Sequence, residues 1–221
     1  MIVIFDWDGT LCDSIDQIVS AMQAAAREVG LGTPSVQAVR DIVGLGLPQA
    51  IAILFPRCSQ EARERVEVAY SKHFVAGDRG PATLFKGALA TLDALRNRGF
   101  ELAVATGKSR RGLSRVLAGL DMTQAFHASR CADETRSKPH PLMLEEILTE
   151  RGKSPRDALM VGDTEYDLDM AARAGIPSVG VSYGVHDTKR LQRHGPVAIV
   201  DELPELLELP LLRAHDRRST G

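Results

Sequence analysis

Short apolar runs that alternate with stretches of helical spacing leave this 221-residue chain few folds to choose from. Met1 to Phe5 is a continuous apolar run, rich in β-branched residues and ending at Asp6, the pattern of a strand buried on both faces. Similar runs recur at Leu102–Ala105, Leu159–Val161, Ser178–Val181 and Val197–Val200. Between them apolar residues take helical spacing, as at Ala88, Leu92 and Leu95, at Leu113, Val116, Leu117 and Leu120, at Leu142, Leu144, Ile147 and Leu148, and at Leu168, Met170, Ala171 and Ala174. With Gly99, Gly152 and Gly175–Ile176–Pro177 at helix ends, the alternation predicts an α/β fold, a Rossmann-like parallel sheet with helices on both faces.

One region breaks the rhythm. From Ile15 to about Arg79 the pattern is helical (Ile18, Met22, Ala25, Val29; Ala50, Ile51, Leu54; Ala62, Val66, Ala69, Tyr70, Phe74) and offers no convincing strand. It predicts an all-helical cap inserted after the first strand, residues 15–80, with residues 1–14 and 81–221 forming the α/β core. Gly77–Asp78–Arg79–Gly80–Pro81 reads as the return linker. The polar tail from about Arg213 is expected to fray.

The formal charge of −2, from 27 Lys and Arg against 29 Asp and Glu, gives the average surface no attraction for nucleic acid or an anionic membrane, and neither is an expected partner. No uncharged apolar run approaches the ~18 residues of a membrane span, and the opening lacks the basic start and long apolar stretch of a signal peptide. Cys12, Cys58 and Cys131 are odd in number and form no C-x-x-C pair, which argues against a disulfide framework or a structural zinc site and for the cytoplasm. The sequence sets no oligomeric state.

Four segments could carry chemistry. Asp6-Trp7-Asp8-Gly9-Thr10-Leu11 puts two carboxylates at the end of the first strand, where open parallel sheets bind ligands. Such a pair can hold a hard cation or divide labour as nucleophile and acid/base; it can also be a turn with a side-chain cap. Thr106-Gly107-Lys108-Ser109 joins a strand to a helical pattern and offers a hydroxyl and backbone N–H groups to a phosphate, although on its own the motif is also that of a routine helix start capped by Ser109. Ser137-Lys138-Pro139-His140-Pro141 presents one of only six lysines at a helix mouth, either to balance crowded carboxylates or as a solvated surface group, with His140 a turn residue. In Val161-Gly162-Asp163-Thr164-Glu165-Tyr166-Asp167, Asp163 and Asp167 lie one helical turn apart, a repulsive spacing that a nearby cation would relieve; an acidic helix start is the other reading. Brought together at strand ends, the segments make a charge cluster that Mg²⁺ and a phosphoryl group would neutralise.

In order and placement these four segments resemble the haloacid dehalogenase superfamily, and the resemblance spans nearly the whole chain. It implies that Asp6 is a nucleophile, Asp8 an acid/base, Thr106 a phosphate-binding hydroxyl and Lys138 a charge-balancing lysine. It further implies Mg²⁺ held by the Asp6 carboxylate, the Asp8 backbone carbonyl and Asp163, with Asp167 nearby, and substrate contacts from Gly9, Thr10, Gly44, Gly107 and Lys108. The helical insertion resembles the cap of phosphoglycolate-phosphatase-like members.

The expected enzyme is therefore a Mg²⁺-dependent phosphatase that hydrolyses a small phosphorylated metabolite, phosphoglycolate-like, through an aspartyl-phosphate. The alternatives are a mutase acting on a sugar phosphate and a pyrophosphatase or nucleotidase on the same motifs. Dehalogenases of the superfamily lack an acid at the Asp8 position, so Asp8 favours a phosphate ester. Phosphonatases need a cap lysine and the mutases a cap histidine early in the insertion, whereas here the first of each are Lys72 and His73. Asp41-Ile42-Val43-Gly44-Leu45-Gly46-Leu47-Pro48 reads as the loop that closes over substrate, with Arg40 a candidate reader of a second anionic group.

Overall fold

The computed structural model describes residues 1–77, 80 and 82–216. The first apolar run forms β1 (Ile2–Phe5), and four helices follow: α1 (Ile15–Val29), α2 (Val36–Arg40), α3 (Leu47–Leu54) and α4 (Gln60–Ala76). Strands and helices then alternate through α5 (Ala88–Asn97), β2 (Glu101–Thr106), α6 (Arg110–Gly119), β3 (Ala128–Cys131), α7 (Leu142–Arg151), β4 (Ala158–Gly162), α8 (Glu165–Arg173), β5 (Ser178–Val181), α9 (Thr188–Gln192), β6 (Ala198–Val200) and α10 (Pro210–Asp216).

The six strands make one parallel sheet in the order β3-β2-β1-β4-β5-β6. The chain runs outward from β1 through β2 to β3, then returns to β4 on the other side of β1. That reversal opens a crevice beyond the carboxyl ends of β1 and β4. Both faces of the sheet are buried, as continuous apolar runs require. Val3, Phe5, Leu102, Val104, Leu159 and Val161 point into one core with Leu92 and Leu113, while Ile2, Ile4, Ala103 and Met160 point into another with Leu144, Ile147 and Met170. The expected fold class is borne out.

β3 was not legible as a strand. Its Ala-Ser-Arg-Cys sequence has no apolar run, because it is an edge strand paired only with β2, from Ala103 with Ala128 to Thr106 with Cys131. The tail is helical to Asp216 rather than irregular from Arg213, anchored by the fully buried Leu212; residues 217–221 lie outside the described residues, as do Asp78, Arg79 and Pro81 of the expected linker. Helices α1 to α4 share a cluster that includes Ile18, Met22, Ala25, Val39, Ile51, Val66 and Phe74, joined by Val185 from the segment after β5.

Candidate active site

Asp6 follows β1, Asp163 follows β4, and Lys138 comes from the loop between β3 and α7. Asp6, Asp163 and Asp167 each offer a carboxylate oxygen within 4.8 Å of the others. The Lys138 ammonium donates to Asp6 Oδ1 and to Asp167 Oδ1, each at 2.6 Å. Lys138 is 0% exposed, so the solvated-surface reading fails. The chain enters this loop from β3, whose last pair sets Cys131 beside Thr106; the Lys138–Pro139 peptide is cis.

One ammonium faces three buried carboxylates, and the charges do not cancel. Burial raises the Asp6 carboxyl well above its ordinary range; Lys138 opposes this, and Asp167 and Asp163 add to it. Burial, reinforced by Asp167, pushes Asp163 up to about 7 against the hydrogen bonds from Val185 and Thr10. At Lys138 burial disfavours the charge, but Asp167 and Asp6 outweigh it and hold the ammonium above the usual lysine range. Asp6 Oδ2 is buried without a hydrogen-bond partner among the described residues. An all-oxygen set with excess negative charge and an orphaned carboxylate oxygen fits a hard divalent cation.

The fourth segment forms an acidic helix start, with the Lys138 ammonium as the cation beside Asp167. Thr164 caps α8, accepting from Asp167 N–H, while Asp167 Oδ2 accepts from the Thr164 N–H at 3.1 Å and hydroxyl at 2.7 Å. The other Asp167 oxygen is the one on Lys138. With both oxygens engaged inside the protein, Asp167 stands behind Asp6 and Asp163 as a potential metal ligand.

Asp163 is fixed from several sides. Its Oδ1 accepts from the Thr10 hydroxyl at 2.9 Å and its Oδ2 from Val185 N–H at 2.9 Å. Tyr183 donates to the Thr10 carbonyl at 2.8 Å, tying the same turn. Gly9, at φ +87°, leaves the space in which Asp163 lies; a Cβ there would stand 2.2 Å from Asp163 Oδ2. Of the expected substrate contacts, Thr10 therefore bonds to Asp163 and Gly9 makes room for it.

Asp8 Oδ1 accepts from Lys108 Nζ at 2.8 Å and from the Ser14 hydroxyl at 2.5 Å. Lys108, expected at the substrate, is thus paired with Asp8 and stands 4.7 Å from the centroid of the Phe74 ring. Thr106 is buried and its Oγ1 accepts from Lys108 N–H at 3.2 Å, leaving its own proton to donate. Ser109 does cap α6, accepting from Gly112 N–H.

The loop at residues 41–46 is seated on the core. Gly46 N–H donates to Ser137 Oγ at 2.8 Å and Tyr166 Oη to the Asp41 carbonyl at 2.8 Å, while Arg190 joins Asp41 at 2.9 Å to Glu165. Gly107 allows this approach: a Cβ there would stand 2.6 Å from the Leu45 carbonyl oxygen. Beneath the loop is a cavity of about 670 Å³ that includes Asp6, Asp8, Gly44, Gly107 and Lys108 in its lining. Arg40 is not part of that lining, which corrects its expected role; Arg111 and Arg115 of α6, Tyr70 and Phe74 are, and no local motif distinguished them.

His186 is buried: its Nδ1 accepts from Glu165 N–H at 3.0 Å and its Nε2 has no partner among the described residues. His194 is half-buried near Glu165. His140 is a turn residue as expected, accepting from Leu142 N–H, and His73 is paired with Glu28.

This arrangement of buried acids, lysine and hydroxyl at the strand ends of a doubly wound sheet is that of a hydrolase site. The model of the haloacid dehalogenase-like hydrolases matches residues 3–181, and the chain belongs to that family. The protein named "Probable phosphatase IndB" of Dickeya dadantii is 32% identical over 212 residues, covering 93% of this chain and 91% of its own. A phosphoglycolate phosphatase of Vibrio vulnificus is 30% identical over 222 residues, covering 96% and 97%. A solved structure titled as a predicted phosphatase from Clostridium acetobutylicum superposes with a TM-score of 0.83 at 27% identity, covering 94% of this chain and 98% of that one. The resemblance drawn from the motifs is borne out, as is the expectation of a phosphatase-type enzyme. None of the described helices is long and apolar enough to cross a membrane.

Proposed function

We propose that the enzyme is a Mg²⁺-dependent phosphatase that hydrolyses a small phosphorylated metabolite through an aspartyl-phosphate on Asp6. The observation that carries this reading is the buried set of Asp6, Asp163 and Asp167 around one lysine, with Asp6 Oδ2 unpartnered. Asp6, Asp163 and the Asp8 carbonyl would hold the ion, with Asp167 behind them. When bound, Mg²⁺ supplies positive charge that offsets repulsion between a carboxylate and a phosphate dianion.

Asp6 attacks phosphorus as the P–O bond to the leaving group breaks. Lys138 keeps the nucleophile oriented, and the Thr106 hydroxyl donates to the phosphoryl oxygens. Asp8, positioned by Ser14 and Lys108, gives a proton to the departing alkoxide. Ionised by that transfer, it takes a proton from the water that cleaves the aspartyl-phosphate and releases phosphate. Residues 15–80 act as a cap domain over a core of 1–14 and 81–221, and the loop at 41–46 excludes bulk water. The free Cys12, Cys58 and Cys131 suit a reducing, cytoplasmic setting.

The name shared by several relatives makes phosphoglycolate the first metabolite to assay. Release of p-nitrophenol from p-nitrophenyl phosphate in Mg²⁺, lost with EDTA and with Asp6→Asn, is the expected result. Turnover that survives Asp6→Asn would remove the aspartyl-phosphate from the scheme.

A further inference from the structure

We infer that the leaving group of the substrate is a ring-sized, largely apolar alcohol rather than a two-carbon acid, an inference that rests on the phosphatase reading above. The cavity over Asp6 and Asp8 measures about 670 Å³. A two-carbon phosphoester of about nine heavy atoms needs at most roughly 270 Å³, even at the ~30 Å³ that a whole water molecule claims in the liquid. The remaining volume would be left to solvent, whereas cavities of this size bury much larger ligands.

Cap closure does not remove the excess. The 41–46 loop already rests on the core through Gly46–Ser137 and Asp41–Tyr166, each at 2.8 Å. Against Gly107 the Leu45 carbonyl has no room to approach further.

The wall is also the wrong chemistry for a second small anion. Beyond Asp6 and Asp8 it is built from Met22, Ile42, Leu47, Tyr70 and Phe74. Of the four cations in the lining, Lys108 is paired with Asp8 at 2.8 Å and Lys72 with Glu28 at 3.0 Å, Arg115 stands over the Phe74 ring at 5.8 Å, and Arg111 is exposed. Tyr70 and Phe74, with ring centroids 5.7 Å apart and planes inclined by 33°, add aromatic carbon to this wall. Apolar contact here is made by the leaving group, while the phosphoryl group takes the polar floor.

Ethyl, benzyl and 2-naphthylmethyl phosphate share a primary-alcohol leaving group and differ in apolar bulk, so they separate fit from intrinsic reactivity. With Mg²⁺ present, kcat/KM is expected to rise at least tenfold from ethyl to 2-naphthylmethyl phosphate, mainly through KM, with phosphoglycolate below benzyl phosphate. Leu47→Trp, which fills the cavity, should cut the naphthylmethyl-to-ethyl ratio at least tenfold. Hydrolysis with a flat or falling series in the wild-type enzyme overturns the inference and leaves the phosphatase reading standing. No hydrolysis of any of these esters or of p-nitrophenyl phosphate overturns both.

Discussion

Lys108 Nζ lies 2.8 Å from Oδ1 of Asp8, so the cation of the second motif is committed to the second carboxylate of the first. Ser14 shares that oxygen at 2.5 Å. The pair joins the turn after β1 to the turn after β2 and fixes the side chain proposed to move protons. In the proposed mechanism Lys108 therefore acts through Asp8.

Removing either partner should be read mainly in turnover. Asp8→Asn is expected to lower kcat by about 10²–10⁴-fold, the range of a lost general acid/base. Lys108→Met, which leaves Asp8 in place without its partner, should cost less, about tenfold. Steady-state kinetics on p-nitrophenyl phosphate separate kcat from KM, and an effect of Lys108→Met confined to KM would assign Lys108 to substrate alone.

Binding of Mg²⁺ should stabilise the fold more at high pH than at low pH. Burial raises the folded Asp163 carboxyl to about 7, whereas the unfolded chain titrates near ~4. A raised carboxyl gives stability that is complete below ~4 and is lost as pH rises through about 7, where the folded metal-free protein must hold an unwanted charge. The cation removes that penalty by binding the ionised form. Melting curves with Mg²⁺ and with EDTA should show a larger Tm difference at pH 8 than at pH 5.5; equal differences contradict a metal site at Asp163.

Gly107→Ala should unseat the 41–46 loop. The added Cβ meets the carbonyl oxygens of Leu45 at 2.6 Å and Gly44 at 2.7 Å, both backbone atoms that cannot rotate away. Overpacking of this kind costs about 1–3 kcal/mol, and lifting the loop relieves it without disturbing the sheet. The expected outcome is a KM raised about tenfold, a small change in Tm and faster trypsin cleavage after Arg40. Unchanged cleavage with unchanged KM would mean that the loop is not held by this contact.

Most of the site was legible because strand ends fix where side chains go. Asp6, Thr106 and Asp163 each close or follow an apolar run, and the parallel order of β2, β1 and β4 brings them together. Lys138 was found by its motif but not its burial, since polar β3 hid the edge of the sheet that carries it. Ser14, Tyr183 and Val185 support Asp8, Thr10 and Asp163 from positions with no periodic or spacing signal. Thr164 did carry one: a Thr three residues before an acid is a capping box. Arg40 illustrates the opposite failure, because a charge beside a loop says nothing about which wall of a cavity it joins.

Lys138→Met tests whether the buried charge cluster is real. The substitution leaves Asp6, Asp163 and Asp167 within 4.8 Å of one another with no ammonium between them. Removing one partner from a buried ion pair costs about 3–5 kcal/mol, because the remaining charge is left without compensation. Urea unfolding in EDTA should show a loss of that order, and turnover should vanish. Adding Asp167→Asn removes one of the stranded charges, so the double variant should regain part of the stability while staying inactive. That non-additivity separates electrostatic release from lost packing, which a second substitution would only deepen. A single-variant loss below about 1 kcal/mol is what a solvated surface lysine would give, and it would mean that the cluster does not depend on Lys138.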